Sequence, residues 1–256
     1  MRKPIIAANW KMNHGPAAAA DFFPSFISQV EGFAAKCDIV VAAPMVSLAA
    51  ASAALKGCDS VALAAQNVSQ NDNGAFTGET STDMLKELGV EFVITGHSER
   101  RTLYGETNEI VNAKNKKVLA AGMKPIFCIG ETLEEREGGK LEAVLGSQVK
   151  EGLAGISVED LANVVIAYEP VWAIGTGVTA TSAQAQETHA FVRSVVAEVY
   201  GQDAADAIRI QYGGSANGGN AEELLAQADI DGGLVGGASL AADSFSELIA
   251  NGVKNY

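Results

Sequence analysis

The chain has 256 residues, 48% of them hydrophobic and 19% charged, which suits a substantial core and excludes a disordered composition. No apolar run approaches the roughly 18 uncharged residues of a membrane span. The formal net charge of −13 argues against nucleic acid or an anionic membrane as partner, and it requires any bound anion to find a local pocket of positive potential.

In chain order, the basic start MRKP leads into a strand expected at 5–10. Its apolar part is only about six residues and soon meets Asn9 and Lys11, which speaks against a secretory signal. Further strands are expected at 38–43, 61–65, 92–96, 124–129, 164–168, 208–211 and 233–235. These runs are apolar rather than alternating, as in parallel strands covered on both sides. Helical patterns lie between them, for example at 107–121 and 182–200, with Ser182 suited to an N-cap and Gly122 and Gly201 to helix ends. Alternating units roughly thirty residues apart predict an α/β chain folded as a single (β/α)8 barrel of eight parallel strands, one domain over 1–256. An open doubly wound sheet is the alternative, but no GxGxxG opens the first unit.

Cys37, Cys58 and Cys128 are odd in number and far apart, with no CxxC pair, so reduced, buried thiols in a cytoplasmic protein are expected. His14, His97 and His189 have no metal-ligand spacing, and no metal site is expected.

In such a barrel, chemistry belongs to the loops after the strands. Asn9 and Lys11 have the period-two spacing that puts both on one face of a strand end, where a lysine could hold an anion; a solvated loop lysine fits equally. His97 follows VITG and precedes Ser98 and Glu99, which resemble a helix start. A helix N-terminus would keep its imidazole neutral, although a core histidine satisfied by backbone is the plainer account. Glu169 ends the apolar run VVIAY, and Pro170 restricts it to an extended conformation. The following VWAIGTG is unusually apolar for a loop, which suggests either a water-excluding cover over a catalytic base or a packed turn. Burial would raise the basicity of that carboxylate. YGGS and VGGAS place Gly213, Gly214, Gly236 and Gly237 directly after strands seven and eight, where barrels often hold phosphate on backbone N–H groups.

The motifs NWKMN, AQN, GAFTGE, GHSERR, CIGET, AYEPVWAIGTG, QYGGS and VGGASL, in this order, closely resemble the triosephosphate isomerase family. The resemblance runs from about Ile5 to Phe245. It implies a TIM barrel and an aldose–ketose isomerase of glycolysis and gluconeogenesis, interconverting dihydroxyacetone phosphate and D-glyceraldehyde 3-phosphate with no cofactor or metal. Glu169 would then be the base, His97 the neutral electrophile, Lys11 the cation for phosphate and developing oxyanion, and Asn9 a polarising group. Gly175, Ser215, Gly236 and Gly237 would contact phosphate. Ile174 and Leu234 would press on the carboxylate when the cover closes, and Glu99 would support the histidine and lysine. The family is usually dimeric, so the 71–79 loop is expected to form a homodimer, with Thr77 reaching the partner's 9–11 segment. Ala8 stands where glycine is frequent, Gly233 where alanine is expected, and His14 at an interface-proximal position often held by other residues. A Schiff-base aldolase would need an inward lysine at a late strand end, whereas Lys124 precedes its strand. A non-catalytic phosphosugar-binding relative would be expected to lack one of Asn9, Lys11, His97 or Glu169.

Overall fold

A computed structural model describes residues 2–174 and 180–256. Eight parallel strands close into a barrel in sequence order. They are β1 Ile5–Asn9, β2 Asp38–Ala43, β3 Ala62–Ala65, β4 Phe92–Thr95, β5 Lys124–Ile129, β6 Val165–Tyr168, β7 Arg209–Tyr212 and β8 Gly232–Val235. The expected strands are all present, two of them with the expected bounds and the others with ends shifted by a residue. Trp10 falls outside β1, for instance, while Tyr212 belongs to β7 and Gly232 to β8.

Alternation along each strand sorts the side chains into two cores. Ile5, Ala7, Val40, Ala42, Ala64, Ile94, Ile126, Val165, Ala167 and Leu234 fill the barrel interior, where four alanines meet the bulk of the branched residues. Ile6, Ala8, Trp10, Val41, Ile166 and Tyr168 point outward to pack beneath the helices. Counting on by two from Ile5 and Ala7 brings Asn9 to the inner face at the carboxyl rim, and counting on from Val165 and Ala167 brings Glu169 there. The barrel register therefore aims both polar groups into the mouth.

The seam between β8 and β1 pairs Gly232 with Ile5 and Gly233 with Ile6. Gly232 has φ of 144°, and a Cβ there would lie 1.8 Å from the Ile5 carbonyl oxygen, so the seam closes only over a glycine. At this same amino-terminal rim, ion pairs tie strand starts to one another and to the helix layer. Arg209 Nη1 meets Asp38 at 2.5 Å, and Arg193 Nη2 meets Asp231 at 2.7 Å.

The helix expected at 182–200 is observed as Ser182–Tyr200, but Thr181, not Ser182, is its N-cap. Thr181 accepts from Gln184 N–H while the Gln184 side chain accepts from Thr181 N–H, a reciprocal capping box that Ser182 has no residue in place to form. Cys37 and Cys128 are buried free thiols as expected, whereas Cys58 is only half-buried, beside Ser60 Oγ at 3.2 Å. Among the described residues, no helix is long and apolar enough to cross a membrane.

Candidate active site

A cavity of about 480 Å³ opens at the carboxyl ends of the strands. It gathers Asn9 at the end of β1 and Lys11 after it, His97 after β4, Glu169 after β6, Ser215 after β7, and Gly236 and Gly237 after β8, with Ile174 and Leu234 on its apolar side. Residues some 230 positions apart in sequence thus share one pocket. Gly175, Thr176 and Gly177 lie outside the described residues.

Glu169 is 2% exposed, deep for a carboxylate, and its placement depends on two glycines. A Cβ on Gly130 would sit 1.9 Å from the Glu169 carbonyl oxygen, and one on Gly213 would sit 2.8 Å from Glu169 Cγ. Gly213 therefore makes room for the acid. Gly214 serves a similar end, since its Cβ would meet the Tyr212 hydroxyl at 2.2 Å. Of the two glycine pairs read as phosphate cradles, the first is thus explained by close packing.

The carboxylate is fully engaged. Ser98 N–H donates to Oε2 at 3.0 Å, Ser98 Oγ donates to Oε1 at 3.4 Å, and His97 Nε2 lies 2.8 Å from Oε1. Burial is the largest influence on its pKa and acts upward. The charge and hydrogen bond of His97, the Ser98 amide and Lys11 outweigh it, and the pKa is held below the usual carboxylate value. Contrary to the expectation from burial alone, Glu169 is a weakened base in this arrangement.

His97 is the N-cap of the helix Ser98–Tyr104, and its Nδ1 accepts from Glu99 N–H at 3.2 Å. That bond assigns the proton to Nε2, which donates to Glu169. Burial is the largest effect on the imidazole and lowers its pKa, but Glu169 and then Glu99 raise it, leaving it above the ordinary value. A second proton would nevertheless have to replace the Glu99 amide bond at Nδ1, and Glu99 Oε2 stands 3.7 Å off. The hydrogen-bond geometry therefore favours the neutral tautomer even though the neighbouring carboxylates favour the cation.

Lys11 adopts φ of 51°, an uncommon conformation for a non-glycine residue. It is held on three sides. Its N–H donates to Asn9 Oδ1 at 3.0 Å, its carbonyl accepts from Gln66 Nε2 at 2.9 Å, and its Nζ donates to Glu99 Oε1 at 2.6 Å. A Cβ on Gly236 would lie 3.7 Å from Lys11 Cε, so the lysine stem passes directly beside the glycine turn. Cation and backbone donors converge there, which answers the puzzle set by the net charge. Ser215 Oγ donates to Ala173 O at 2.9 Å and so touches the start of the apolar loop. Thr77 is exposed on the 71–79 loop and does not line this cavity.

Three neighbours were not singled out by residue type. Ser98 holds the Glu169 carboxylate, and Gln66 holds the lysine loop by bonding both Lys11 O and Ala42 O. Glu131, fully buried, takes Tyr168 Oη, Trp172 Nε1 and Arg136 Nη1 on its Oε1 at 3.1, 2.8 and 3.0 Å. All three lie within quoted motifs, yet Ser98 and Gln66, and Glu131 toward Tyr168 and Trp172, meet partners that barrel closure brings near rather than spacing along the chain. Lys124 opens β5 at the opposite rim with its ammonium 5.0 Å over the Phe92 ring, far from any Schiff-base role here.

The profile of the family described as Triosephosphate isomerase matches residues 4–252. The chain is similar to a triosephosphate isomerase of Chlorobium phaeovibrioides, 52% identical over 249 residues that make up 97% of this chain and 98% of that protein. It is also 52% identical over 252 residues to one of Fusobacterium nucleatum, covering 98% and 100% of the two chains. With one of Carboxydothermus hydrogenoformans it shares 49% identity over 253 residues, 99% and 100% of the two. Barrel, rim residues and near full-length identity agree: the chain belongs to the triosephosphate isomerase family.

Proposed function

We propose that this pocket interconverts dihydroxyacetone phosphate and D-glyceraldehyde 3-phosphate by carbon-to-carbon proton transfer, with the chain acting as one catalytic domain. The observation that carries the reading is the 2.8 Å contact between Glu169 Oε1 and His97 Nε2 in a cavity that also holds Lys11 and the Gly236–Gly237 turn. Glu169 takes a proton from the carbon next to the carbonyl, and the C–H electron pair becomes the enediolate double bond. Charge moves onto the carbonyl oxygen, where His97 Nε2–H, Asn9 and Lys11 face it. Glu169 then returns the proton to the neighbouring carbon, while the hydroxyl proton passes by way of His97 Nε2 to the former carbonyl oxygen, and the oxygen that loses it becomes the new carbonyl.

Substrate supplies the change in base strength. A carbonyl oxygen that takes over the His97 N–H removes one of the bonds that depress Glu169, and a turn away from Ser98 removes others. Burial then acts with less opposition, and the carboxylate becomes a stronger base where the reacting carbon lies. Ile174 and Leu234 keep that side dry, and Ser215, Gly236, Gly237 and Gly175 are the phosphate donors in this reading. Glu99 holds Lys11 and His97 in place. The chemistry asks for no cofactor or metal. A coupled isomerisation assay on purified protein in EDTA tests this, with turnover unaffected by the chelator as the expected result; absent or chelator-sensitive turnover would sink it.

The molecule is further proposed to work as a cytoplasmic homodimer. A second cavity of about 310 Å³ borders the first, lined by Lys11, Met12, Met45, Gly78, Glu99 and Tyr104. Met12, Leu103 and Tyr104 are 96, 70 and 69% exposed, much apolar surface to leave in water around a reactive lysine. The 71–79 loop of a second copy, with Thr77 at its tip and Phe76 exposed beside it, suits that hollow. Sedimentation should give a dimer, and a monomeric species with full activity would contradict this assembly.

A further inference from the structure

Two described non-glycine residues have positive φ, and both lie in the short loop after β1: Lys11 at 51° and His14 at 60°. The strain at Lys11 has a reason in the proposed chemistry, since it turns the ammonium into the mouth. His14 lies outside the cavity and touches no reacting group, so its strain requires another. Its contacts supply one. His14 Nε2 is 2.9 Å from Leu240 O, and because a carbonyl only accepts, that nitrogen carries the proton. Leu240 N–H in turn donates to Gly237 O at 3.2 Å, closing the turn that follows β8. The His14 carbonyl accepts from Ser47 Oγ at 2.6 Å, and the ring stands edge-on to Trp10 with centroids 4.7 Å apart. Trp10 Nε1 donates to Ser239 O at 3.1 Å, one residue before Leu240.

We infer that His14 is a positioning residue which clamps the Lys11 loop to the turn after β8, setting the distance between the cation and the Gly236 and Gly237 amides. It is thereby a determinant of phosphate affinity. The inference rests on the reading of this pocket as a triose phosphate site and adds a residue to its phosphate half. The Ser47 bond fixes the backbone while the ring reaches across to Leu240, so the left-handed conformation at 14 is what turns the imidazole toward the second loop. The Trp10 bond to the adjacent carbonyl runs alongside it. Without the His14 ring, one of two ties between the loops is lost, and Lys11 and the glycine amides no longer share a fixed spacing.

The test uses His14→Gly and His14→Asn in the full chain. Glycine relieves the positive φ while removing the ring, and asparagine tolerates that conformation but is too short to reach Leu240 O. Steady-state kinetics with triose phosphate are paired with calorimetric binding of inorganic phosphate, which needs no turnover. KM and the phosphate dissociation constant should both rise about three- to tenfold in either variant, the range expected for one lost hydrogen bond, with kcat within about twofold. Unchanged KM and phosphate affinity in a folded variant, whatever its melting temperature, would overturn the clamp. So would a drop in kcat alone. A wild-type protein that binds phosphate without isomerising triose phosphate would instead defeat the reading on which the clamp rests.

Discussion

Glu169 is held by three hydrogen bonds and below its ordinary pKa, while His97 is pulled toward protonation by the carboxylate it holds. In the proposed reaction, a resting pair of this kind stores the proton-abstracting group in an unreactive form until substrate competes for the histidine. Lys11 is the second half of the arrangement, kept in an unfavourable backbone conformation by Asn9, Gln66 and Glu99. Lys11→Ala should lower kcat/KM by at least about tenfold, the low end for a lost charge-assisted bond, with thermal melts showing an intact fold. Unchanged kinetics would remove the lysine from the site. Asn9 was legible in the sequence because period-two counting brings it to the inner face of a strand end, and Glu169 because it stops an apolar run before a proline; the same counting flagged Lys11, although its left-handed backbone, not strand alternation, turns it into the mouth. Ser98, Gln66 and Glu131 were not legible, since their roles depend on which distant segments the closed barrel gathers at its mouth. Gly213 reads in the sequence as part of a phosphate cradle, yet its task, like that of Gly130, is to let a neighbouring acid approach.

The elements followed the apolar runs closely, because a parallel strand covered on both sides has few other ways to be built. Their ends depended on local chemistry that spacing alone did not settle, as at Thr181, where the residue three places on decides which hydroxyl caps the helix. Adjacent glycines in β8 show the same limit. Gly232 cannot carry a side chain against Ile5, whereas a Cβ on Gly233 would meet Val235 at an ordinary 3.4 Å with no positive φ. Gly233→Ala is therefore expected to stabilise the protein by about 0.4–1 kcal/mol through the unfolded state. For a chain of this size, that raises the melting temperature by roughly 1–4 °C. Calorimetry checks it; a lowered melting temperature would show that the seam needs glycine at both positions.

At the scale of the whole molecule, a closed sheet leaves no strand edge and converts distant segments into one rim, so an acidic protein can still present a lysine and backbone amides at a single place. Closure itself was legible from count and spacing, but the burial of particular ionisable groups was not. His189 is fully buried between Tyr168 and Tyr212, with Nδ1 on Asp229 O at 3.2 Å, and burial pushes its pKa down to about 3. Because the folded value lies below the unfolded one, the unfolded chain takes up a proton first as the pH falls. Stability is complete above about pH 6.5 and is lost progressively toward pH 3, by at most about 4–5 kcal/mol from this residue. His97, whose pKa is raised, acts with the opposite sign, so comparison with a single variant isolates the effect. Denaturant unfolding of His189→Phe across that window should show a flatter acid limb than wild type. A parallel slope would mean that His189 protonates within the fold.

The central claim is that the Glu169 carboxylate abstracts the carbon-bound proton, and drawing it back by one methylene tests this most directly. Steady-state turnover of triose phosphate by Glu169→Asp, beside wild type and with matched thermal melts, should show kcat reduced by at least about a hundredfold in a folded protein. A near-normal kcat would contradict the account.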